Sequence, residues 1–467
     1  FAQSKIVTIY QYMLNPFENK TKREIMIEIG QIDGDEPSKD DQEFNIALTF
    51  EGKNAWKFVE RVLLDFKSKR TDKYYNLYRD QLSVILANLY ETYSIQDYLF
   101  SYYSRNNNDY KESKRYNLNK ISARPLKFLV DSLEKHGWVD TSQWYYDKKN
   151  EENRWCSRMR PSKKLIKTFK EFKITPKCIY RKPVDCIRLK DSKERLVEYT
   201  DTPTTNSMRN KLFAYNNLLL KTRIKIKRNK NVNRYLELHP VNFKNIEYYR
   251  VFNDSSFELG GRFYGAWWVT LSKDARGNIT LDGEKTIELD YSSIGIHLLY
   301  SQENLNYYDL NDPNSDPYTL KGIDPEEREV NKKIITFALN MSPGDRHRKF
   351  VYTVRKKIKK TNDKRSILGI KKLLNVPTPR EVHKRLRIFE EENVPIKHHL
   401  FTSVGTRLQF KDSCIAENVI ERMVSMRIPV LVIHDSFIVQ YRNGKLLRGL
   451  MNNVCIEQKL KSIPLIK

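Results

Sequence analysis

The chain has 467 residues, more than one hydrophobic core usually carries, so two or three domains are expected. Hydrophobic residues make up 39% and aromatics 12%, enough for globular cores, and no run of about twenty apolar residues offers a membrane span. Lys and Arg number 84 against 58 Asp and Glu, a formal charge of +26. That excess predicts a polyanionic partner held in a salt-sensitive way, although a Lys-rich, compositionally biased surface would give the same count. Five scattered cysteines without a close CxxC pair argue against a cysteine zinc site and read as reduced thiols of an intracellular protein.

Residues 1–73 combine an acidic, loop-like stretch, Asp33 to Asp41, with a short helix around Ala55 to Phe66, and carry no recognisable chemistry. Residues 74–172 have a winged-helix-like pattern. In Ser122 to Lys135, Leu126, Leu129, Val130 and Leu133 share one helical face and Gly137 ends the run. A strand Trp144 to Tyr146, the polar turn DKKNEEN and a strand Arg154 to Met159 would form the wing. The helix would present Arg124 and Lys127 to a DNA groove. Residues 173–245 form a basic connecting or thumb-like region, with a helix at Thr205 to Lys221 and a charged strand at Thr222 to Lys227.

Residues 246–467 hold four segments whose order matters as much as their letters. Gly260-Gly261-Arg262 permits close backbone approach beside a guanidinium that can fork onto phosphate or a base edge. Ile287 to Leu289 form an apolar strand running into Asp290, after which Ile294, Leu298 and Leu299 take helical spacing. An aspartate at such a switch is either an N-cap or a metal ligand. Asp324-Pro325-Glu326-Glu327 is a helix start, and Arg328, Lys332, Thr336 and Asn340 recur every four residues along one face, which could hold a triphosphate. Finally, Val430 to Gln440 describes a buried β-hairpin whose turn holds His434 and Asp435, where a plain hairpin would favour Gly or Asn. A carboxylate there requires a cation or several donors.

Together these segments resemble the family A superfamily, which unites family A DNA polymerases and phage-type single-subunit RNA polymerases. GGR from Gly260 resembles its template-primer motif, DYSSIGIH from Asp290 its motif A, REVNK from Arg328 its motif B, and HDSF from His434 its motif C. The resemblance spans about residues 250–445. It implies an α+β right-hand fold with palm, fingers and thumb-like parts behind the winged-helix-like region. It also implies two Mg²⁺ ions, with Mn²⁺ as an alternative, held by Asp290, Asp435 and the Tyr291 backbone carbonyl. Arg328 and Lys332 would bind the triphosphate, with Lys332 also helping to protonate pyrophosphate. Thr336 and Asn340 would continue that nucleotide-binding face, Arg262 would contact primer-template, and His434 would sit by the primer terminus.

Two departures bear on the product. Gly295 stands where the DNA branch has a glutamate that excludes a 2′-hydroxyl, and Ser436 where it usually has a third carboxylate. Both favour ribonucleotides, while the aromatic residue expected near the end of motif B is replaced by Asn340 or Met341. The expected function is a DNA-templated nucleotidyltransferase of a phage, plasmid or mobile element: a primase, primase-polymerase or RNA polymerase. The alternatives are a primer-extending DNA polymerase and a DNA-binding replication or regulatory protein with an inactive palm. Its expected partners are DNA template and primer, NTPs or dNTPs, and replication proteins such as a helicase, without a membrane. Cytoplasm, nucleoid or a host cell would be its location.

Overall fold

The computed structural model describes residues 41–66, 68, 72–110, 114–142, 145–146, 154–312, 315–345, 348–367 and 373–467. Most of the acidic stretch from Asp33 and the DKKNEEN turn lie outside them. The fold is mixed α and β and divides into two compact units, the first made chiefly of residues up to Asp185 and the second chiefly of those from Cys186 onward.

In chain order the first unit holds β1 (Gln42–Glu43), β2 (Leu48–Phe50), α1 (Lys53–Leu64), α2 (Tyr75–Ile95), β3 (Ser101–Tyr103), α3 (Ala123–Lys135), β4 (Val139–Ser142), β5 (Tyr145–Tyr146), β6 (Arg154–Trp155), β7 (Ser157–Pro161), α4 (Lys163–Glu171) and β8 (Ile179–Arg181). In α1, Ala55, Phe58, Val59, Val62 and Leu63 are buried, the stripe that a 3.6-residue period creates. The central α2 is buried around most of its circumference between Gln81 and Tyr90. On α3, Leu126, Leu129, Val130 and Leu133 face the core, as the spacing predicts. The four-stranded sheet runs β1-β3-β7-β4, and β5 pairs with β6 in a small hairpin between β4 and β7. Phe44 to Phe66 share a single core with Tyr78 to Ile174, so the boundary expected at residue 73 falls inside one hydrophobic cluster.

The second unit holds β9 (Ile187–Leu189), α5 (Pro203–Lys221), β10 (Ile224–Ile226), β11 (Tyr249–Phe252), β12 (Gly260–Tyr264), β13 (Ile279–Leu281), β14 (Glu284–Asp290), α6 (Ile294–Gln302), α7 (Arg328–Asn340), α8 (Arg348–Ile367), α9 (Pro379–Glu392), α10 (Gly405–Ser425), β15 (Leu431–Ile433), β16 (Ser436–Gln440) and α11 (Gly444–Glu457). Its main sheet is antiparallel in the order β10-β13-β14-β16-β15. A second sheet, β12-β11-β9, carries the glycine-arginine segment.

Side chains finish the free edge at β15. The Tyr248 hydroxyl donates to the Val432 carbonyl at 2.6 Å and accepts from the Val432 N–H at 3.0 Å, while Tyr215 donates to the Val430 carbonyl at 2.7 Å. The backbone groups that an edge strand leaves open are thereby satisfied. The hairpin is held rigid on both sides.

Candidate active site

The hairpin β15-β16 closes on His434 and Asp435 alone, with Ile433 paired to Ser436. His434 takes φ 59°, a left-handed conformation that costs a residue bearing a Cβ about 1–2 kcal/mol. Such strain persists only where surrounding structure enforces it. Here the enforcement is the fully buried apolar pairing of Leu431, Val432 and Ile433 with Ser436, Phe437 and Ile438.

On the other side of β16, Asp290 pairs with Ser436 at the end of β14. The next residue, Tyr291, donates its N–H to the Asp435 carbonyl at 3.3 Å. Residues 465–467 clasp the same point: Asp290 N–H donates to the Lys467 carbonyl at 3.0 Å, Lys467 N–H returns to the Asp290 carbonyl at 2.9 Å, and Ser292 N–H donates to Leu465 at 2.8 Å. Asp290 and Asp435 therefore end up side by side, although 144 residues intervene between them (435 − 290 − 1).

Their electrostatics follow from that proximity. Burial, then the Asp435 charge, pushes the Asp290 carboxyl up to about 6, with Lys332 and Lys273 pulling the other way. Two crowded carboxylates with no cation bonded between them among the described residues form a donor set that suits hard divalent ions such as Mg²⁺. The residues present fit such an ion.

Glu288 lies two residues before Asp290 and so projects on the same face of β14. It accepts from Ser436 Oγ at 2.8 Å and from Arg276 at 2.7 and 3.0 Å. Burial alone would raise the Glu288 carboxyl, but Arg276 and Ser436 outweigh it and hold the group below its usual range. Sequence reasoning missed Glu288, although an acid between the apolar Ile287 and Leu289 was the available signal.

Arg262 projects from β12 and is bonded to Asp412 of α10, its Nε 3.1 Å from both carboxylate oxygens and its Nη2 also on Oδ2. Close approach of strand and helix requires Gly261, at φ 74°, since a Cβ there would come within 2.8 Å of Phe252 and 2.9 Å of Ser413 Oγ. Burial pushes Asp412 up to about 6 even against Arg262, and the Asp435 charge adds to the rise. Burial works against the Arg262 charge too, but the Asp412 bridge outweighs it and raises its pKa, with Asp435 contributing. Arg262 thus feels Asp412 and Asp435 together. Asp412 was also missed; a charge on the otherwise buried stripe Leu408, Asp412, Ile415 and Val419 of α10 was its signal.

His434 stacks edge-on against Tyr264, centroids 5.7 Å apart. Burial, then the Arg262 charge, pushes its imidazole down to about 4, so it is neutral at pH 7, and its Nδ1 is buried without a hydrogen-bond partner.

No protein-family model matches the chain, and no curated protein matches it either.

On α7, Lys332, Thr336 and Asn340 are exposed and Arg328 is half-buried, so the stripe expected from the spacing is present. Lys332 is close enough to act on the Asp290 carboxyl. Arg328 is instead bonded to Asp316 at 2.7 and 2.9 Å, and the Asn340 amide to the Thr336 carbonyl at 2.7 Å. Helix α7 starts where Asp324 accepts from Glu326 N–H at 2.9 Å, with Pro325 leading in. A Cβ at Gly405 would fall on the Asn340 amide, so a larger residue there would have to turn that exposed side chain aside.

Gly295 differs from these glycines. It is a regular residue of α6, and a Cβ there would meet only Leu408 Cδ1, at an ordinary 3.9 Å. Packing does not demand its missing side chain. In the first unit, Arg124 is exposed and Lys127 half-buried on α3. Among the described residues no helix is long and apolar enough to cross a membrane.

Proposed function

We propose that the chain is a DNA-templated nucleotidyltransferase that works with two divalent metal ions at Asp290 and Asp435 and accepts ribonucleotides. The observation that carries this reading is the convergence of Asp290 and Asp435 on adjacent strand ends, with Asp290 raised to about 6 by burial and by its neighbour. When bound, the metals would lower the pKa of an attacking 3′-hydroxyl and neutralise charge on the phosphates. Asp290 and Asp435, with the Tyr291 carbonyl beside them, would hold those ions. Lys332 offers an exposed ammonium within reach of the same carboxylates, placed for the triphosphate and for giving a proton to pyrophosphate. Arg328 would join it after exchanging Asp316 for phosphate, and Thr336 and Asn340 extend the face.

Arg262 would meet the primer-template while Asp412 fixes its fork, and neutral His434 would lie by the primer end. Room for a Cβ at Gly295 supports tolerance of a 2′-hydroxyl, because helix packing does not account for the glycine. This right-hand arrangement of palm and fingers also suits the antiparallel sheet with the helices that follow it.

In the first unit, the strand order β3-β7-β4 with α3 directly before β4 and a hairpin between β4 and β7 supports a winged-helix reading, with Arg124 and Lys127 facing DNA. The test is incorporation on a single-stranded DNA template with Mg²⁺ and separate labelled NTP and dNTP pools, with and without primer. Ribonucleotide incorporation is expected. Incorporation of dNTPs alone would transfer the proposal to a primer-extending DNA polymerase, and DNA binding without any incorporation would leave a binding protein with an inactive palm.

A further inference from the structure

Away from the aspartates, three side chains converge as metal ligands do. Glu303 follows the last residue of α6, and His398 and His399 end the 3₁₀ turn Val394–His399. Their donor atoms all lie within 4.8 Å of one another. His399 Nε2 is 2.9 Å and His398 Nε2 3.3 Å from the same Glu303 Oε1, and the two rings stand 4.1 Å apart at 38°. One carboxylate oxygen needs only one imidazole for an ion pair. The two nitrogen–oxygen separations, 2.9 and 3.3 Å, are close to the roughly 3.3 Å between donors that sit about 2.0–2.1 Å from a tetrahedral zinc, and the two nitrogens lie within 4.8 Å of each other.

Both ligand-bearing segments are held in place by contacts outside the cluster. The Tyr300 hydroxyl of α6 donates to Asn393 Oδ1 at 3.1 Å, just before the turn, and Ile396 within it is buried. Thr402 Oγ1 donates to the His399 carbonyl at 2.6 Å, fixing the backbone behind the ligands. Such support reduces the ordering that metal binding would otherwise require.

We propose that Glu303, His398 and His399 bind a Zn²⁺ ion whose fourth position is taken by water. Two imidazole nitrogens with one carboxylate select zinc over Mg²⁺ or Ca²⁺, which prefer all-oxygen sets. The ion has a structural consequence. The segment after His399 docks on the end of α7, Phe401 N–H donating to the Ala338 carbonyl at 2.6 Å and Ser403 N–H to Met341 at 3.1 Å. A zinc here staples α6, which follows Asp290, to the loop that caps the helix bearing Lys332.

The experiment is Co²⁺ and Zn²⁺ binding to the full chain in excess Mg²⁺, read as bound metal per chain, as the visible d–d bands of four-coordinate cobalt, and as thermal midpoint. One tight site with those bands is expected, retained in the double variant Asp290→Asn/Asp435→Asn. It should be lost in His398→Ala/His399→Ala and weakened at least about tenfold in Glu303→Gln. Absence of the bands in the unaltered chain would overturn the proposal, as would their loss in the aspartate variant with survival in the histidine variant. Should the histidine variant fail to fold by circular dichroism, folded Glu303→Gln decides: unchanged affinity there overturns the assignment.

Discussion

In the first unit Asp41 is buried against Arg158, 3.2 Å apart and both almost without exposure, and Asp65 lies between Arg61 at 2.9 Å and Lys164 at 3.3 Å. Burial alone would raise Asp65, yet those two cations hold it below the usual range. In the second unit Asp290 and Asp412 are both pushed up to about 6, and the charge of Asp435 contributes to each. Asp41 and Asp65 are each met by protein cations, whereas Asp290 at the end of β14 and Asp412 within α10, the latter although bridged to Arg262, are crowded by the like charge of Asp435. The first pattern serves stability. The second leaves Asp290 crowded by the Asp435 charge with no bonded cation among the described residues, an arrangement that a divalent metal ion would relieve.

The largest effect that would sharpen this contrast is on chemistry. Asp290→Ala or Asp435→Ala should lower nucleotide incorporation by at least about a thousandfold, roughly 4 kcal/mol of transition-state stabilisation, with DNA binding and circular dichroism unchanged. Survival of incorporation in either variant would break the contrast at its functional end. Next in size, Asp41→Ala removes the buried carboxylate 3.2 Å from Arg158 and should cost about 3 kcal/mol of stability by denaturant unfolding. A variant as stable as the parent chain would show that the Asp41 pair is not what distinguishes the first unit.

A smaller effect concerns pH. Because folding raises the Asp290 carboxyl from 3.8 to about 6, the folded state keeps a proton through that interval which the unfolded chain has lost. Stability from this group therefore falls as pH rises between those values, and the cost persists above about 6. Asp290→Asn should raise the thermal midpoint by about 2–4 °C at pH 8 and leave it unchanged below 3.8. Mg²⁺ should stabilise the parent chain at pH 8 and do less for the variant. An equal gain at both pH values would remove the electrostatic explanation.

The mildest change is Gly295→Glu, whose Cβ would make only an ordinary contact with Leu408. It should shift the ratio of NTP to dNTP incorporation towards dNTPs by about tenfold without loss of folding. An unaltered ratio would mean that Gly295 does not face the sugar.

Much of this was legible in the sequence where a period or a cap produces it. Helices α1, α3 and α7, the hairpin at His434 and Asp435, and the switch at Asp290 follow from spacing and from Asp324-Pro325. The region 343–403 offered a signal that went unread: Thr378-Pro379-Arg380-Glu381 forms a capping box that opens α9. The Arg262–Asp412 bridge joins residues 150 apart, and the Glu288–Ser436 contact residues 148 apart. No local pattern encodes such pairings; they depend on β12 packing against α10 and on the register of β14 with β16. Nor could spacing show that Arg328 lies against Asp316, because the intervening segment has no period that would place it.

In the proposed reading Asp290 and Asp435 act as one unit. A double-mutant cycle in single-turnover incorporation tests it most directly, using Asp290→Asn, Asp435→Asn and the pair together at saturating Mg²⁺. If the two share the metals, the pair should lose no more than about tenfold beyond either single variant, as for residues that act together. Losses that multiply, or a single variant retaining most of its activity, would contradict a shared site.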